Sequence, residues 1–110
     1  MKLSVKERIK LIELLPKTGD IIDIKIISEF RMKIGFTNKE IVDWKITSTP
    51  SEYDNMIHYD WDDKKVKDVK FEIGNRIVGV VTNQLKDMNA NRTLDESLIS
   101  LWDKFMEEEK

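Results

Sequence analysis

Cysteine is absent from this 110-residue chain, and histidine occurs once. Disulfide scaffolds and thiolate zinc sites are excluded, as is any site that needs several imidazoles. The four glycines and two prolines are isolated, so there is no glycine-rich phosphate loop and no nucleophile elbow. No run of 18 apolar residues occurs, and no segment reads as a membrane-crossing helix. Met1-Lys2-Leu3-Ser4-Val5-Lys6-Glu7-Arg8 has basic side chains but no apolar stretch behind them. That is unlike a secretory leader, and a cytoplasmic protein is expected. An excess of positive charge is missing too. The 19 Lys and Arg stand against 21 Asp and Glu, a net charge of −2, whereas a generic nucleic-acid binder is basic.

What is present suffices for a core. Hydrophobic residues make up 40% of the chain, and its length suits a single domain over 1–110. A core this small gains readily from a partner or from self-association. Ser4-Val5-Lys6-Glu7 is a capping box, and Val5, Ile9, Ile12 and Leu15 follow at helical spacing until Pro16 and Gly19. Helix one is predicted over 4–15. In the next segment Ile22, Ile24 and Ile26 alternate as in a strand, but Ile22, Ile26, Phe30 and Ile34 also fall at i, i+4 steps up to Gly35. The length of the run favours a helix over 20–34, capped by Asp20. Ile21, Ile24 and Met32 then lie away from the Phe30 stripe, a pattern that places a helix centrally or against another chain.

Thr37-Asn38-Lys39-Glu40 is a second capping box, opening a short helix with Ile41, Val42 and Trp44. The period then changes to 2 around Trp44, Ile46 and Ser48, again at Ile57, Tyr59 and Trp61, and again at Val69, Phe71 and Ile73. Three such runs with short links predict an antiparallel meander over 44–73. Ile77, Val80, Val81, Leu85 and Met88 mark a further helix, and Asn89-Ala90-Asn91 reads as a loop. Thr93-Leu94-Asp95-Glu96 reads as a third capping box before Leu98, Leu101, Trp102 and Phe105. The helix pair occupies 74–106, with 107–110 a frayed tail. The predicted fold is α+β: a three-stranded antiparallel sheet, about five helices in the order ααα–βββ–αα, and the helices mainly on one face. Residues 1–35 hold eight basic and five acidic side chains, and 36–73 hold six and nine, so the sheet is acidic.

The densest polar cluster is His58, Asp60, Asp62 and Asp63, of which His58, Asp60 and Asp62 share one face of an extended strand. An imidazole with carboxylates can hold a divalent ion, and a metal-dependent enzyme through these residues is the third reading of function. Asp60-Trp61-Asp62-Asp63 is no calcium loop, because Lys65 and Phe71 stand where a glycine and a carboxylate are required. No other element of an active site is met, so the leading readings are non-enzymatic, with no cofactor. Three helices before a hairpin also match the gross order of a winged helix, in which 37–44 would read DNA. Lys39 there stands against Glu40 and Asp43, poor for phosphate contact. Nucleic acid is therefore the alternative partner, not the leading one.

The aromatic residues point elsewhere. Trp44 sits at an element junction and Tyr53 in a loop, and exposed aromatics are enriched in protein interfaces. Trp44, Tyr53, His58 and Asp60 are the candidate contact surface, with Ile24 and Met32 for self-association. The acidic sheet with Asp60, Asp62 and Asp63 could also imitate nucleic-acid charge toward a nuclease.

The order of Leu14-Leu15-Pro16, the turn at Gly19, Phe36-Thr37-Asn38-Lys39-Glu40-Ile41, the Trp61 strand, Phe71-Glu72-Ile73-Gly74, Thr93 and Ser100-Leu101-Trp102-Asp103-Lys104-Phe105 resembles small phage- and prophage-encoded accessory proteins. The resemblance covers nearly the whole chain outside the 50–56 loop and carries over no catalytic residue. It implies a viral accessory protein that works by binding and modulating a host protein or defence component.

Overall fold

The computed structural model describes residues 1–51 and 57–109. The architecture is α+β, with five α-helices and two small antiparallel sheets among the described residues. The chain forms two compact units. One is built from Met1–Gly35 with Asp68–Lys110, the other from Phe36–Lys67.

In the first unit, β1 (Lys2–Leu3) leads into α1 (Val5–Leu14). The predicted capping box closes: the Glu7 amide donates to Ser4 Oγ at 3.1 Å and the Ser4 amide to Glu7 Oε1 at 2.9 Å. The ambiguous segment is helical, α2 (Ile21–Ile34), with the Asp23 amide donating to the Asp20 carboxylate. Local alternation of isoleucines loses to the longer helical period because Ile27, Phe30 and Ile34 all bury on one side. After β4 (Val69–Lys70), α4 (Asn75–Ala90) buries Ile77, Val78, Val81, Thr82 and Leu85, a stripe one helical face wide. A 3₁₀ turn (Glu96–Leu98) opens α5 (Ile99–Glu109), which buries Leu101 and Phe105 completely. These faces meet with Leu3, Leu11, Leu14, Leu15 and Phe71 in one hydrophobic core.

Two side chains tie this core together by polar means. Arg8 is 1% exposed and donates from Nε to the Ile34 carbonyl (3.0 Å) and from Nη2 to the Gly35 carbonyl (2.9 Å). Its guanidinium lies 5.1 Å from the Phe71 ring centroid. The cation thus answers the carbonyl end of α2, where the helix dipole favours positive charge. Lys104 Nζ, on α5, donates to Glu7 Oε1 (2.7 Å) and to the Lys2 carbonyl (2.6 Å). Burial would push the Glu7 carboxyl up, but hydrogen bonds from Lys104, the Ser4 amide and Ser100 outweigh it and hold the group below its ordinary value.

The predicted three-stranded meander does not form, and neither does the order ααα–βββ–αα. The third run of alternating residues pairs with the chain start, Lys2 opposite Lys70 and Leu3 opposite Val69. Leu3 and Phe71 are both core residues, and burying them drives a pairing that two-residue strands cannot announce by periodicity. Three boundaries also differ. Asn89 and Ala90 are helical, and Arg92 (φ 57°) ends α4 in the left-handed region, with the Thr93 amide donating to the Met88 carbonyl. The third capping box is not made, because the Thr93 hydroxyl also donates to Met88 and Asp95 caps the 3₁₀ turn instead. The last helix continues to Glu109, past the predicted end at 106. No helix among the described residues is long and apolar enough to cross a membrane.

Candidate functional site

The second unit, Phe36–Lys67, begins with α3 (Asn38–Asp43). The predicted capping box is present, with the Glu40 amide on Thr37 Oγ1 (3.1 Å) and the Thr37 amide on Glu40 Oε1 (2.9 Å). The helix stops at Lys45, whose φ of 53° is left-handed. The Lys45 amide donates to Val42 and the Ile46 amide to Ile41, a Schellman closure that ordinarily takes glycine at this position. The chain then forms a hairpin of β2 (Thr47–Pro50) and β3 (Ile57–Asp60), antiparallel, with Thr47 opposite Asp60 and Pro50 opposite Ile57. Tyr59 and Ile57 therefore share a face with Ser48 and Pro50, while His58 and Asp60 share the other with Thr49 and Thr47. Beyond β3 the Asp62 amide donates to the Trp44 carbonyl (2.8 Å), fastening the end of α3 to the loop.

No described residue of 36–67 is buried. Val42 is 74% exposed, Ile57 55% and Ile41 40%. Trp44, Ile46, Tyr59, Trp61 and Val66 are only half-buried. Among the described residues, the whole hydrophobic core belongs to the other unit.

Next to the hairpin, Tyr59, Asp60, Trp61 and Asp63 line an open hollow of about 150 Å³. The Trp61 indole N–H donates to Asp63 Oδ1 (2.8 Å), which fixes the ring relative to the carboxylate. Among the described residues, neither Asp60 nor Asp63 is paired with a lysine or arginine.

The sequence candidates divide between the units. Trp44, His58 and Asp60 fall in the hairpin unit, with Trp44 half-buried and the other two exposed. Tyr53 lies outside the described residues. Ile24 and Met32 are on α2, and only Met32 is open, at 80% exposure. Ile24 folds over the turn at Gly19 and is half-buried, its Cδ1 3.8 Å from where a Cβ on Gly19 would stand. The exposed apolar residues of α2 are instead Ile21 (68%), Ile22 (65%) and Met32. Ile22 was expected inward on the Phe30 stripe, but it sits in the first turn, ahead of the packed stretch. Val42 and Ile57 are exposed without any local mark in the sequence, since each stands beside another apolar residue, Ile41 and Met56.

The His58, Asp60 and Asp62 constellation does not assemble into a metal-binding group. Asp62 lies beyond the end of β3, and its Oδ1 accepts from the Lys64 amide (3.0 Å). Among the described residues no three His, Asp or Glu side chains come together to hold an ion.

No protein-family model matches this chain, and no curated protein or solved structure matches it.

Proposed function

We propose that this is a non-enzymatic binding protein of the phage or prophage accessory type, and that Phe36–Lys67 is its recognition element for a partner protein. The observation that carries the reading is that this unit has no buried residue among those described, while displaying Ile41, Val42, Ile57, Trp44, Tyr59 and Trp61. Segments below roughly 40 residues need disulfides, a metal or a partner to hold their shape. This chain has no cysteine, and its described residues gather no metal-binding group. A partner that covers the exposed apolar side chains supplies the missing burial, at about 25 cal/mol per Å² of apolar surface. A DNA-reading role has less support, because α3 is six residues long and sets Lys39 against Glu40 and Asp43.

The test is capture by the tagged full chain from a nuclease-treated lysate of the source cells, with Val42→Asp plus Ile57→Asp compared against Met32→Asp. Loss of the same stoichiometric band only with the hairpin variant supports the reading. A band that survives the hairpin changes, or no band, counts against it.

A second reading is pairing with another copy through α2, favoured by the exposure of Ile21, Ile22 and Met32. Sedimentation of the parent and of Met32→Asp decides it, since a dimer seated on this face would dissociate in the variant.

A further inference from the structure

We propose that α2 pairs antiparallel with α2 of a second copy of this chain, packing Ile22 on Met32 and setting Lys25 against Glu29. This inference rests on the reading of α2 as a self-association face and gives that face a direction and a register. Ile27, Phe30 and Ile34 commit one side of α2 to the core of its own unit. On the opposite side Ile22, Lys25, Glu29 and Met32 are all exposed. Their spacing of three, four and three residues is that of the inward positions of a coiled coil, which form one seam along a helix. Between Ile22 and Met32 the drift of that seam around a straight helix is only about 30°, so the four side chains share a common face. Ile21, also exposed, widens the apolar end of the seam.

The seam complements itself in one direction only. When two antiparallel helices cross level with residue 27, Ile22 lies opposite Met32 and Lys25 opposite Glu29, and two-fold symmetry makes each contact twice. A parallel pair in register would set Lys25 against Lys25 and Glu29 against Glu29, and like charges repel. Among the described residues neither Lys25 nor Glu29 has an ion-pair partner within its own chain. Ser28, exposed beside the seam, adds little bulk at the crossing. The apolar contacts fall at the two ends of the pair and the charged ones between them. Apolar burial therefore supplies the affinity, and the charges fix direction and register.

The experiment is sedimentation equilibrium of the full chain and its charge variants, up to about 0.5 mM. The parent should dimerise. Lys25→Glu and Glu29→Lys should each weaken the dimer about tenfold or more, because each sets like charges against one another on both sides of the two-fold axis. Lys25→Glu combined with Glu29→Lys in one chain should restore the parent's affinity to within a few-fold. An equimolar mixture of the two single variants should form a heterodimer. Circular dichroism checks that each variant is folded. Because the chain has no cysteine, Ile22→Cys and Met32→Cys report the register directly. Mixed under mild oxidation, these two variants should cross-link to each other. Ile22→Cys by itself should not, since antiparallel pairing holds its two copies about 15 Å apart along the axis, too far for a disulfide. Cross-linking of Ile22→Cys to itself, or a dimer whose affinity both single charge variants leave unchanged, would overturn the inference while leaving pairing through α2 in place. A parent that stays monomeric at the highest concentration, or a dimer that survives Met32→Asp, removes the reading of α2 as a self-association face and this inference with it.

Discussion

Truncating Arg8 to alanine probes what holds the first unit together. The side chain is 1% exposed, and its Nε and Nη2 donate to the carbonyls that close α2, Ile34 at 3.0 Å and Gly35 at 2.9 Å. Hydrogen bonds to a charged group contribute about 1.5–3 kcal/mol each, and a buried carbonyl left unpaired costs a similar amount. The contact with Phe71 at 5.1 Å adds about 1 kcal/mol when desolvated. These contributions share one guanidinium and do not simply add, so a loss of about 3–4 kcal/mol is the expected net. For a small domain stable by about 5–15 kcal/mol, that is a large fraction. The assay is urea unfolding followed by far-ultraviolet circular dichroism, which reports mainly α1, α2, α4 and α5. With a slope of about 1.5 kcal/mol per molar urea, the midpoint should fall by about 2 M. Arg8→Met separates packing from polarity: it keeps most of the stem volume but still strands both carbonyls. A midpoint within about 0.5 M of the parent for Arg8→Met would refute the polar argument, and the same result for Arg8→Ala would refute the role of Arg8 altogether.

Glu7 gives a pH-dependent counterpart. Lys104, the Ser4 amide and Ser100 outweigh burial and lower its proton affinity in the folded state. Its stabilisation is therefore complete above the ordinary value of 4.5 and is lost as pH falls through the lower folded value. Glu7→Gln should be less stable than the parent by about 2 kcal/mol at pH 7, and the gap should narrow as acid is added below about pH 4.5. A gap constant from pH 7 to pH 3 would contradict this. Arg92→Gly should raise the urea midpoint, because φ of 57° costs an L-residue about 1 kcal/mol that glycine escapes. An unchanged or lower midpoint would show that the arginine is better accommodated there than its backbone suggests.

Much of the local structure was legible in the residues. The boxes at Ser4–Glu7 and Thr37–Glu40, and the Asp20 cap, each place an oxygen three residues from an amide it can accept. Such contacts depend only on nearby chain, so sequence reasoning finds them. Thr93 shows the limit of the same rule. It had the right spacing, but the left-handed turn at Arg92 brought its hydroxyl to Met88 first. Of the candidate surface, His58, Asp60 and Met32 are exposed, whereas the half-burial of Ile24 follows from how its helix folds over the Gly19 turn.

The sequence by itself determined the composition limits, the identity of α1 to α4 as helices, and the pairing of the two hairpin runs, since each follows from period, caps and turns within a short window. Only the tertiary structure decided that residues 69–70 join the chain start, because that pairing is driven by burial of Leu3 and Phe71 across a separation no local pattern spans. It also decided that, among the described residues, every core residue lies outside Phe36–Lys67. An apolar residue in sequence states only that it would gain by leaving water. Whether anything in the same chain covers it depends on the packing of all the others.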